Sequence, residues 1–141
     1  MRSFSIALVN LGRRNPATHT LLEMNSLDDI ICVQEPWWGR IGTARKDGER
    51  NGCDVLGGVA HPNWHGEMPY VAAGSRAKVM IYVQKFRRDK PWLPNLLQVV
   101  ARPDLMVHPC VLIADIRLGN KRWRLVNFYH DVDTPSLLLG W

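Results

Sequence analysis

The sequence predicts an α/β domain with a mixed, largely antiparallel sheet. Three observations predict it. The chain opens strand–helix–strand, as a parallel pair needs. From residue 54 onward it reads almost only as strands. Two of the last strands are joined by Gly119-Asn120, a hairpin-like turn. That order argues against a doubly wound parallel sheet, where strands and helices alternate throughout.

Each element has a local reason. Residues 4–9 are apolar with weak alternation and form a strand ending at Asn10. Gly12 to Pro16 is a turn broken by Asn15-Pro16. Pro16 suits a first helical turn, and residues 17–24 carry helix formers with Leu21 and Leu22 on one side, closed by Asn25-Ser26. Residues 29–34 make a short unbroken apolar run, the pattern of a strand covered on both faces, and Pro36 ends it. Residues 37–52 read as a long loop rich in glycine and charge. A short strand over 54–60 carries a bend at Gly57-Gly58, and 61–69 reads as irregular. Strands follow at 78–83, 96–100 (the weakest), 110–116 and 123–129.

The totals bound the class. The 141 residues suit one domain, and 46% apolar with 22% charged is globular composition. No apolar run approaches the roughly 20 residues a membrane span needs. The N-terminal apolar stretch is too short and interrupted for a signal peptide and lacks a cleavage site, so an intracellular location, nuclear or cytoplasmic, is expected. Three cysteines without a CxxC do not make a disulfide framework; Cys32 and Cys110 read as small core residues, and Cys53 is undecided. The net charge is +5, with basic clusters at 13–14, 40–50, 85–90 and 121–124. Such clusters suit a polyanion, DNA above all, and equally suit a solvated surface.

Candidate chemistry lies at strand ends. Asn10, Glu35 and the pair Asn127 and Tyr129 each sit at or just after an apolar strand. In open α/β sheets such ends converge on the ligand crevice. A carboxylate there could hold a hard cation, and a carboxamide and a phenol could meet a phosphate. Each residue also has a plain reading: Asn10 as a turn former, Glu35 as a partner for one of many arginines, Tyr129 as a half-buried strand aromatic. Only their joint order favours a site. Other constellations are weaker. His61 and His65 with Cys53 make a poor zinc set, His130 reads as an exposed loop residue, and Gly57-Gly58 lacks the Lys-Ser/Thr of a phosphate loop. Trp37-Trp38 is the best candidate for base stacking, whereas Trp92 and Trp123 read as core or strand residues.

That order resembles the endonuclease/exonuclease/phosphatase superfamily, of DNase-I-like and apurinic-endonuclease-like fold. It is most similar to the endonuclease domain of fungal LINE-type (non-LTR) retrotransposons. The stretches that carry the resemblance are Asn10-Leu11-Gly12-Arg13, Ile30-Ile31-Cys32-Val33-Gln34-Glu35-Pro36-Trp37, His61-Pro62-Asn63-Trp64, the strand at 76–83, and Asn127-Phe128-Tyr129-His130-Asp131. Gln-Glu-Pro-Trp after an apolar strand is the most specific. The resemblance implies a four-layer α/β sandwich, of which residues 1–141 supply the N-terminal half. It implies Glu35 as a Mg²⁺ ligand (Mn²⁺ able to substitute), Asn10 as a residue positioning metal and phosphate, and Tyr129 as a contact to the scissile phosphate. Asn127 would support that loop and, with Arg13, Arg14 and Arg40, face the nucleic acid.

The chain also departs from the family. The Gly-Asp-x-Asn element that activates water and the closing Ser-Asp-His element are absent, and Asp131 and Asp133 are poor substitutes. Pro135 to Trp141 reads as a helix begun behind a Thr134 cap and then cut. The expectation is therefore a catalytically incomplete fragment of a magnesium-dependent DNA endonuclease domain. With half a sandwich missing, the inner face of the first sheet should be exposed and the chain prone to self-association. The competing expectation is a non-catalytic basic module binding nucleic acid or protein.

Overall fold

A computed structural model describes residues 3–24, 27–44, 53–72 and 74–130. In chain order these form β1 (Ile6–Asn10), α1 (Asn15–Met24), β2 (Ile30–Gln34), β3 (Gly39–Ala44), β4 (Cys53–Gly57), β5 (Trp64–Glu67), β6 (Val79–Gln84), β7 (Gln98–Ala101), β8 (Val111–Leu118) and β9 (Lys121–Phe128). The first sheet has the order β1-β2-β6-β5, the second β7-β8-β9, and β3-β4 is a separate hairpin. Only β1 and β2 pair in parallel, with α1 as the crossover; the other pairs are antiparallel. The expected α/β class with a mixed, largely antiparallel sheet is the observed one.

The two central strands explain the layering. β2 is buried along its apolar length and so is β6, so both faces of the first sheet must be covered. Ile30, Cys32, Val79, Ile81 and Val83 meet Leu112, Ala114, Ile116 and Leu118 of the second sheet. On the opposite face Ile31, Val33, Met80 and Tyr82 pack on Leu22 of α1, on Leu11 and on Trp64. Two polar tips are satisfied inside that second cluster: the Tyr82 hydroxyl donates to the Val59 carbonyl at 2.6 Å, and the Trp64 indole donates to the Leu22 carbonyl at 2.9 Å. Cys32 and Cys110 are buried thiols, the small core residues expected.

The structure corrects several expectations. Residues 39–44 are not loop but strand, paired to β4 through a register shift between Arg40 and Gly42. Glycine and the bulge erase the apolar alternation there; a Cβ on Gly57 would stand 2.7 Å from the Ile41 Cδ1, which would have to turn aside. Residues 64–67 form a four-residue edge strand on β6, too short to show a period. The inner face of the first sheet is not laid bare, because β7–β9 folds over β2 and β6. Among the described residues, the apolar exposure on that face is on β1, whose Ile6 and Leu8 remain 42% and 66% accessible. Trp92 is neither core nor strand but 74% exposed, whereas Trp123 is the strand residue expected, in β9 and edge-on to Phe4 at 4.9 Å. The expected helix stop at 25–26, Asp131, Asp133 and the helix start at 134–141 lie outside the described residues. Among the described residues no helix is long and apolar enough to cross a membrane.

Candidate active site at the strand ends

Parallel pairing puts the C-terminal ends of β1 and β2 side by side, with Asn10 in register with Gln34. The chains leaving these strands stay joined. Leu11 N–H donates to the Gln34 carbonyl at 3.0 Å, and Arg13 N–H donates to the Glu35 carbonyl at 2.8 Å. Glu35 N–H in turn donates to the Lys78 carbonyl at 3.0 Å, next to β6. Both backbone groups of Glu35 are thus held while its φ is 53°, and Arg13 has φ 63°. A non-glycine residue there costs about 1–3 kcal/mol, and a residue before proline is normally extended. The two exit turns hold each other in strained conformations, and Glu35 is what they present. Asn10 keeps the plain role open: its side-chain carbonyl accepts from Gly12 N–H at 2.9 Å and shapes the turn.

Tyr129 arrives from the other sheet. It follows β9 directly, and its N–H donates to the Cys110 carbonyl at 2.9 Å. Its hydroxyl donates to Glu35 Oε1, joining groups 94 positions apart. Beneath that contact the sheets are clasped by two side chains. Asn127 Nδ2 donates to the Met80 carbonyl at 2.9 Å and the Val33 carbonyl at 3.2 Å, while Gln34 Nε2 donates to the Phe128 carbonyl at 2.8 Å. Glu35 and Tyr129 therefore each follow a residue whose neighbour is tied to the opposite sheet.

The sequence-predicted residues divide accordingly. Glu35 and Tyr129 are brought into contact, and Asn10 lies at the neighbouring strand end. Asn127 is only 3% exposed, with its amide group on two backbone carbonyls. It lies under the site, and that placement does not match the nucleic-acid contact expected of it. Arg13 and Arg14 are exposed between β1 and α1, and Arg40 is exposed on β3. Gln34 was missed as a member of the clasp. Its only signal was a polar residue closing an otherwise apolar strand. His61 pairs with Glu23 at 2.8 Å and His65 with Glu67 at 2.7 Å.

A divalent cation would find hard oxygen here, but few protein ligands. Among the described residues no three His, Cys, Asp or Glu side chains cluster as a metal set. One carboxylate suits Mg²⁺, which keeps several waters and leans on one or two carboxylates plus substrate phosphate. The residues fit a cation held by Glu35 alone on the protein side, with Asn10 beside it.

No family model matches the chain, and no curated protein is similar to it at a significant level. Among solved structures, the endonuclease domain of TRAS1, a telomere-specific non-LTR retrotransposon, superposes with a TM-score of 0.64 at 19% sequence identity. The match covers 97% of this chain and 49% of that one, so the chain spans about half the length of its structural neighbour. At that identity the likeness is one of fold, over the half of that domain that the match covers.

Proposed function

We propose that the chain is part of a magnesium-dependent DNA endonuclease domain of retrotransposon type, close to fungal LINE-type elements, and that by itself it holds an incomplete catalytic site. The observation that carries this reading is the Tyr129–Glu35 contact, built across two sheets by strained and buried elements. In this reading Glu35 is the protein ligand of the metal, with Asn10 positioning metal and phosphate beside it. Mg²⁺, or Mn²⁺ in its place, would offset charge on the phosphate oxygens. Tyr129 directs a hydroxyl donor into the same corner and would contact the scissile phosphate. Arg13, Arg14 and Arg40 would hold the DNA backbone without reading sequence. No described residue takes up the water-activating role, so turnover is expected to stay near background; one missing oxyanion donor alone costs about 10²–10³ in rate.

Nicking of supercoiled plasmid in Mg²⁺, alongside Glu35→Ala, tests this. Background nicking for both proteins, together with Mg²⁺ binding lost in Glu35→Ala, is the expected result. Robust nicking abolished by Glu35→Ala would show a complete site. Absence of any Glu35-dependent Mg²⁺ binding would favour the second reading, a non-catalytic basic module, for which the net charge of +5 speaks.

A further inference from the structure

The outer face of β7–β9, turned away from the core, carries a pattern the strand-end site does not use. Side chains alternate along β8, so Leu112, Ala114, Ile116 and Leu118 point inward and Asp115 and Arg117 point out. Register then sets Arg124 opposite Asp115 and Arg122 opposite Arg117. Asp115 is gripped from both sides: Arg124 Nε donates to it at 2.8 Å, and Arg102 donates from the β7 side. Arg102 also forks onto Asp104 at 2.8 and 2.9 Å. These ion pairs fix two guanidinium groups in place.

The Arg117–Arg122 pair is different. Two like charges directly opposite each other on adjacent strands destabilise a sheet. Among the described residues neither makes an ion pair; Arg117 only turns its Nε to the Gly119 carbonyl at 3.3 Å. Both line a shallow depression of about 550 Å³, with Arg102 and Arg124 along its wall. An arrangement that costs stability and leaves two forked donors facing solvent calls for an anion between them. Guanidinium pairs suit phosphate, which accepts two parallel N–H bonds from each. Arg122 and Arg124 stand two residues apart on one face, roughly 7 Å along the strand. That spacing is comparable to successive phosphates of one nucleic-acid strand.

We infer that the outer face of β7–β9 is a second contact surface for nucleic-acid backbone, with Arg117 and Arg122 as a phosphate clamp and Arg102 and Arg124 held beside it by Asp115. The inference extends the proposed DNA-acting role, but the surface is remote from its site. Arg122 lies seven residues before Tyr129, roughly 20 Å along the strand, on the side of the sheet away from the core. Contacts of this kind hold the backbone without reading bases.

The test is anisotropy of a short labelled duplex with the 141-residue chain, in EDTA, across a salt series. Arg117→Ala/Arg122→Ala is expected to weaken binding several-fold and to lower the slope of log affinity against log salt by about 1.8, two released contacts. Because no metal or cleavage enters, failure of the Glu35 reading leaves this result readable. Arg122→Glu serves as the folding control: it replaces the like-charge pair with an ion pair to Arg117, so it should raise the melting temperature while weakening DNA binding. Unchanged salt slope in the double variant would overturn the proposal. So would displacement of DNA by polyglutamate as effective as by unlabelled duplex, which would assign the face to an acidic polypeptide.

Discussion

The strand-end corner and the outer arginine face use opposite physics to hold polar groups. At the corner, the buried Asn127 and the half-buried Gln34 place neutral amides on backbone carbonyls, and Glu35 is presented by strained turns. On the outer face, arginines and carboxylates pair in water, where each pair contributes little and the surplus charge stays available. The lesson is that precise placement here comes from buried neutral hydrogen bonds. Charge, by contrast, is kept where it can be exchanged for a ligand.

The comparison breaks most visibly at Asn127. Asn127→Leu removes the two buried hydrogen bonds that its amide donates to the Val33 and Met80 carbonyls. A loss of about 1–3 kcal/mol in urea unfolding is expected. A loss no larger than that of an exposed substitution would mean that the sheets are held by their apolar contact alone. The two regions should also respond to opposite ends of the pH scale. Burial pushes the Cys32 thiol up to about 11 from an ordinary 9.0. Between those values the unfolded chain loses this proton and the folded chain keeps it, so stability is intact below pH 9 and falls toward pH 11. The fall is on the order of 2–3 kcal/mol, and Cys32→Ala should flatten it. On the outer face, hydrogen bonds from Arg124 and then Arg102 hold Asp115 below its ordinary 3.8, and Arg102 does the same for Asp104. That contribution is present above the ordinary carboxylate range and is lost as pH falls through the folded-state values; at an exposed site it should be small.

Smaller effects sharpen the contrast. Glu35→Gly relieves a left-handed backbone, so it should raise stability by about 1 kcal/mol, a few degrees in melting temperature, while removing the carboxylate. Stability and function would then trade against each other at that residue; a destabilised Glu35→Gly would show that the Tyr129 contact outweighs the strain. The least change is expected for Arg122→Glu, about 1 °C upward in melting temperature. A fall instead would remove the like-charge cost from the outer face.

Much of the architecture was legible because it rests on local pattern. The run at 29–34 announced a strand buried on both faces, and the structure covers it on both. The strand at 78–83 and the turn at Gly119-Asn120 were equally plain. Residues 39–44 were read as loop because glycine, arginine and threonine hide the alternation and a bulge shifts its phase. Trp92 reads as core or strand in the sequence, but it follows the charged stretch Arg87 to Lys90 in a turn that leaves it outside.

The site divides the same way. Glu35 stood out because a charged residue ending an apolar strand and followed by proline is a local signal. Asn127 was noticed beside Tyr129, but its burial was not legible, since an asparagine two residues before a tyrosine looks the same whether it faces DNA or two backbone carbonyls. The role of Gln34 could not be read at all. By itself the sequence determined most of the strands, the ends of the buried ones and the polar groups that stand there, because these follow from neighbours within a few residues. Only the tertiary structure decided that Tyr129 meets Glu35, that Asn127 and Gln34 clasp the sheets beneath them, and that Arg117 faces Arg122. Each of these depends on strand register or on the stacking of two sheets, and such contacts are set by packing between segments far apart in the chain.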